Sequence, residues 1–123
     1  MRQEYENLSE RMLNFAAEVI LFVNRLTKTA SGRYIAGQLT HAGASGGANY
    51  EEACGAESRA DFIHKLQIAL KELRETHFWL RLVKKSRLVP ESDPALESLL
   101  SEAKQLANII GQSVVTAKKG SLR

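Results

Sequence analysis

Both prolines of this chain, Pro90 and Pro94, fall in one short stretch, so only glycine punctuates the sequence ahead of it. Apolar side chains recur there at Leu8, Met12, Phe15, Val19, Phe22 and Leu26, with Glu10, Arg11, Glu18 and Arg25 set around them. That spacing of three and four buries one face of a helix, expected over about residues 5–29. Ser31-Gly32 interrupts the pattern, and a second helix is expected over about 33–54, closed by Gly55. Ser58, with Asp61 three residues on, reads as the N-cap of a third helix over about 59–86. Asp93-Pro94 supplies a cap and a proline at the first helical position, opening a fourth helix over about 94–118. Its ladder is Leu96, Leu99, Ala103, Leu106, Ile110 and Val114, and Lys118 and Lys119 sit at the negative end of its dipole. Four long helices joined by short connections predict an all-α, antiparallel up-down four-helix bundle, a single domain over residues 1–123.

A chain of 123 residues buries enough surface for one core and too little for two. Its 44% hydrophobic and 25% charged residues are those of an ordinary globular domain, which excludes global disorder. A lone cysteine, Cys54, excludes a disulfide scaffold and suits a reducing compartment. No apolar run approaches the ~20 residues that span a bilayer. The opening Met1–Glu6 carries acids and no apolar stretch, so no signal peptide is expected. A cytoplasmic domain without membrane contact is the expectation.

Two helices depart from simple amphipathicity. The second is crowded with small residues, among them Gly43, Gly46 and Gly47, and each interior glycine costs ~1 kcal/mol relative to alanine. Close approach of another helix backbone is the gain that offsets this. The third carries one stripe of Phe62, Leu66, Ala69, Leu73 and Leu80, and a second set of Ile68, Phe78, Trp79, Leu82 and Val83 on a different side. A helix apolar on two sides must be covered on two sides. A homo-oligomer is therefore expected, with Ile68, Phe78, Trp79 and Leu82 at the subunit interface.

Constellations for catalysis or metal binding are poor. Gly43-Ala44-Ser45-Gly46-Gly47 lacks the Lys-Ser/Thr ending of a phosphate loop and sits inside a helix. Asp61 and His64 share a helix face with Glu72 and Glu75, but a di-metal bundle needs such motifs on two helices. Cys54 lies at a helix C-terminus among Glu51, Glu52 and Glu57, which disfavours a thiolate. No enzyme activity, cofactor or metal is expected. Ser45, Asn49 and Glu52 stack on one side of the second helix. If that side is buried, Glu52 needs a donor, for which Lys65, Lys71 and Arg74 are the candidates, with Asn49 adding a hydrogen bond. A structural polar network and a ligand site both remain open for this stripe.

Charge is uneven. The net +3 combines +5 over residues 58–90 with −2 over residues 31–57. The surplus lies at Arg74, Arg81, Lys84, Lys85 and Arg87, where solvated surface charge and phosphate binding are the two readings. Oligomerisation would repeat such a cluster into a broad positive field.

The runs Ala44-Ser45-Gly46-Gly47-Ala48-Asn49-Tyr50-Glu51-Glu52-Ala53, Ser58-Arg59-Ala60-Asp61-Phe62, Lys71-Glu72 and Glu75-Thr76 with Trp79-Leu80 resemble the 23S rRNA intervening-sequence protein family of four-helix bundles. The resemblance implies a cytoplasmic, pentameric, barrel-like assembly with no catalytic residues. Ser45, Asn49, Glu52 and Glu75 match the polar signature positions of that family. Gly46-Gly47 stands where bulkier residues are common there, which implies a looser second helix. Related proteins serve the reverse transcriptases of diversity-generating retroelements through a basic surface that contacts nucleic acid. RNA or DNA binding through Arg74, Arg81, Lys84, Lys85 and Arg87 is therefore the functional expectation. The alternative is an adaptor for a protein partner such as a reverse transcriptase.

Overall fold

The computed structural model describes the backbone of residues 2–121 and the side chains of residues 7–120. The side chains of Met1–Glu6, which weighed against a signal peptide, lie outside the described residues. Four helices follow in order: α1 Arg2–Val23, α2 Ala30–Cys54, α3 Arg59–Ser86 and α4 Pro94–Ser121. Each packs against its sequence neighbour, and α4 closes on α1, giving an up-down bundle.

Capping sets the helix starts. Thr29 Oγ1 accepts the Gly32 amide at 3.0 Å, and Ser58 Oγ accepts the Asp61 amide at 3.1 Å. Asp93 Oδ2 accepts the Leu96 amide at 3.1 Å and so opens α4. At the other end of α3, Arg87 takes the left-handed conformation, φ 57°, and its amide donates back to the Lys84 and Val83 carbonyls. Arg59, at the start of α3, donates from Nη1 to the Ala117 carbonyl near the end of α4.

The corner between α1 and α2 differs from the sequence expectation. The α-helix stops at Val23, tightens into a 3-10 turn over Asn24–Leu26, and drives Leu26 into the core. Ser31-Gly32 does not break the chain there but forms the first turn of α2. Glycine is required because a Cβ at Gly32 would lie 1.9 Å from the Leu26 carbonyl oxygen.

Farther along α2 the close approach expected of the small residues is found at Gly43. A Cβ at Gly43 would meet Val19 of α1 at 3.1 Å. One at Gly46 would meet Leu73 of α3 at 3.6 Å, and one at Gly47 the Met12 backbone of α1 at 3.7 Å. A side chain at Gly46 or Gly47 would therefore make ordinary van der Waals contact with the neighbouring helix, and α2 is continuous through both rather than loosened.

The core runs the length of the bundle through Met12, Phe15 and Val19, Leu39 and Tyr50, Leu66, Leu73 and Leu80, and the α4 ladder from Leu96 to Val114. Val83 belongs to this core, fully buried, and not to the second side of α3 where the spacing placed it. Thr76 is also buried, satisfied by donating to the Glu72 carbonyl at 2.8 Å. The α1–α4 seam is bridged by charge. Arg11 forks onto Glu102 through two hydrogen bonds of 2.8 Å. Arg25 does the same to Asp93, one bond measuring 3.0 Å.

Two predictions follow from packing and charge at these corners. Gly32→Ala lowers unfolding free energy by about 2–3 kcal/mol, since the methyl overlaps backbone. Gly37→Ala, on an exposed face of the same helix with nothing within 4 Å, raises it by up to about 1 kcal/mol. Denaturant titration separates the two. Asp93 carries the pH dependence. Its Arg25 partner, and then the Leu96 amide, hold the carboxyl below its ordinary value. Stability from that pairing is complete above the unfolded carboxyl value of about 3.9 and is lost as pH falls through the folded value. Asp93→Asn keeps a capping side chain but not the pair. Native chain and variant therefore differ in stability at pH 7, and the difference vanishes on titration to low pH.

Candidate nucleic-acid interface

Basic residues on α3 recur at spacings of three and four, so Lys71, Arg74, Arg81 and Lys85 come out on one outer side with Phe78 among them. All five are exposed. Arg74, Arg81 and Lys85 make no ion pair among the described residues. The other two residues of the expected cluster are engaged. Lys84 Nζ meets Glu97 Oε1 of α4 at 2.7 Å, and Arg87 Nε meets Glu91 Oε1 at 3.5 Å. Their charges are compensated locally, which leaves Arg74, Arg81 and Lys85 as the open cations of the set.

The structure adds two groups to that surface. Between α3 and α4 runs a groove of about 620 Å³ lined by His77, Arg81, Lys84 and Lys85 on one side and Glu97, Ser101 and Lys104 on the other. Burial in the groove, then the charges of Arg81 and Lys104, push the His77 imidazole below its ordinary value. Neither His77 nor Lys104 stands out in the sequence, because they lie on different helices. The signal that joins them is the antiparallel register about the α3–α4 turn, the same register that pairs Lys84 with Glu97.

The polar signature residues do not form one network. Asn49 Nδ2 donates to the Ser45 carbonyl at 2.9 Å and to Ser45 Oγ at 3.1 Å. Glu52 pairs with Lys65 at 2.9 Å, so Lys65 is the donor among the three candidates, and Glu52 remains 57% exposed rather than buried. Glu75 accepts the Trp79 indole N–H at 3.4 Å. These are three separate local contacts, one within α2, one between α2 and α3, and one within α3. Glu72, which the signature did not include, faces the same seam near Gly46, and its Oε2 is buried without a hydrogen-bond partner.

The residues expected at a subunit interface divide as well. Phe78 is 52% exposed, whereas Ile68, Trp79 and Leu82 are half-buried within their own bundle. Trp79 is clasped edge-on by Phe78, ring centres 5.2 Å apart, and by Tyr34 of α2 at 6.0 Å. The larger exposed apolar surface is on α1, where Leu13, Ile20 and Leu21 face outward. These three lie off the core ladder of the first helix, and their spacing alone was enough to mark them. Ile109 and Val115 on α4 and Tyr34 on α2 complete the exposed set.

Among the described residues no three His, Cys, Asp or Glu side chains gather as a metal site would require. Nor, among those residues, is any helix long and apolar enough to cross a membrane. Cys54 is exposed at the last turn of α2.

Comparison with known proteins agrees with this architecture. The family model of the 23S rRNA-intervening sequence protein matches residues 6–112. A crystal structure of a protein of unknown function from the S23 ribosomal protein family of Bacteroides thetaiotaomicron superposes with a TM-score of 0.79 at 31% identity. The match covers 87% of this chain and 97% of that one. No curated protein matches.

Proposed function

The chain belongs to the 23S rRNA-intervening sequence protein family, and from that premise we propose that it is a non-catalytic, homo-oligomeric bundle that binds RNA or DNA through backbone phosphates on α3. The observation that carries this reading is the row of unpaired, exposed cations Arg74, Arg81 and Lys85. A cation held by a neighbouring carboxylate gains little from a phosphate, since it must give up one partner for the other. Open cations release the counterions condensed on the nucleic acid and gain the full entropy of that release. Exposed Phe78 within the row offers a ring on which an unpaired base can stack. Such contacts read backbone rather than sequence, so the binding is non-specific.

Self-association is supported by apolar surface that one bundle leaves in water. Leu13, Ile20 and Leu21 on α1 contribute more of it than the half-covered Trp79 and Leu82. A cytoplasmic, pentameric assembly is the form the family resemblance favours. An adaptor for a protein partner such as a reverse transcriptase is the second reading, and the outward aliphatic face of α1 is what favours it.

Two experiments test these statements. With three phosphates neutralised per subunit, duplex DNA affinity falls roughly 40-fold between 50 and 200 mM salt. Filter retention of RNA and duplex DNA reads this. The Arg81→Glu, Lys85→Glu double variant loses retention, while an adaptor would tolerate it. Absence of retention at low salt removes the nucleic-acid reading. Light scattering at micromolar concentration yields a mass several times 13.7 kDa for the native chain. Leu13→Glu with Ile20→Glu reduces it, and a monomeric native chain contradicts self-association.

A further inference from the structure

We propose that the α3–α4 groove is a tetrahedral oxyanion site in which His77 takes up a proton as the anion binds, so that binding strengthens in mildly acidic solution. This rests on the nucleic-acid reading and assigns to it a defined locus and a regulator. The geometry comes first. Arg81 and Lys104 line one groove from opposite helices, and His77 of α3 and Ser101 of α4 line it as well. Neither cation has a carboxylate partner among the described residues. The carboxylates at this end of the bundle are already occupied, Glu97 by Lys84 and Glu91 by Arg87. Both carboxylates that line the groove, Glu91 and Glu97, are thus paired, and its open groups include the Arg81 guanidinium and the Lys104 ammonium. Beside them is the Ser101 hydroxyl, whose oxygen accepts from Gln105 Nε2 at 3.0 Å and whose proton is left to donate. A phosphodiester or sulfate oxygen set matches them, and Arg81 can engage two oxygens at once.

His77 supplies the proton linkage. In the free protein, burial and then the facing charges of Arg81 and Lys104 push its imidazole below the ordinary histidine value. The other charged groups of the groove are Lys85, which is open, and Lys84, Glu97 and Glu91, of which Lys84 and Glu97 compensate each other and Glu91 is paired with Arg87. An anion lodged between Arg81 and Lys104 reverses the sign of the potential at the ring. The pKa then rises on binding, and by linkage the anion binds more tightly to the protonated form. An upward movement of one unit corresponds to about tenfold tighter binding below the histidine range than above it.

A thymidine oligonucleotide is the suitable probe, because neither its bases nor its phosphodiesters titrate between pH 5.5 and 7.5. At fixed salt, its Kd for the native chain falls roughly tenfold from pH 7.5 to 5.5. His77→Gln retains the affinity of pH 7.5 and loses the gain at pH 5.5. His41→Gln and His64→Gln, on exposed sites elsewhere, keep the gain. Binding that ignores pH, or a gain that survives His77→Gln, overturns the proposal and leaves the nucleic-acid reading standing. Failure of the native chain to bind at either pH removes that reading instead.

NMR titration of the native chain gives a check independent of any variant. The His77 ring pKa moves upward on adding the oligonucleotide. An equal movement with sodium sulfate assigns the groove to free oxyanions as well as to nucleic-acid backbone, and movement with the oligonucleotide alone assigns it to the backbone. An unmoved ring with both overturns the proposal.

Discussion

The rest of the molecule depends on how closely α2 lies between α1 and α3. Gly43 brings it against Val19 of α1, and Gly32 lets the chain turn into it beneath the Leu26 carbonyl. Each glycine weakens the isolated helix, and at Gly32 and Gly43 the packed bundle recovers that loss through contacts that a side chain would block or crowd. Because α2 is so close to its neighbours, the remaining side chains on its flanks, such as Leu39 and Tyr50, reach the shared core. The opposite seam, between α1 and α4, is held differently. There the forked Arg11–Glu102 and Arg25–Asp93 pairs bridge a more open groove.

This arrangement decides which surfaces are left for function. With α2 covering one flank of α3 and α4 the other, the outer side of α3 faces water along its length. The cations there are sorted by their neighbours. Lys84 and Arg87 are matched by acids that the α3–α4 turn brings back toward them, whereas Arg74, Arg81 and Lys85 have none. A cluster of five basic residues in sequence is thus three open cations in space, joined by Lys104 from α4. Electrostatic steering of a polyanion depends on that open set.

Much of this was legible in the residues. The ladders of α1 and α4, the caps Ser58 and Asp93, and the small-residue crowding of α2 each carry a local physical signature, and all four helices follow from them. The misreadings have equally local causes. Ser31-Gly32 resembles a break because glycine ordinarily is one, yet here it is the only residue that fits beneath Leu26. Val83 falls between the two stripes of α3 on an ideal wheel, and in the packed bundle it is fully buried. The polar signature looked like one network because Ser45, Asn49 and Glu52 share a helix face. In space Asn49 bonds back to its own helix while Glu52 turns outward to Lys65.

The sequence by itself determined the number of helices, their order and the surplus of positive charge on the third, because periodicity, capping and composition act within one helix. Which cations are free, which aromatic rings are covered, and that His77 and Lys104 share a groove were decided only by the tertiary structure. Those properties depend on distances between helices, and a linear pattern fixes the face a residue occupies but not the partner that meets it there.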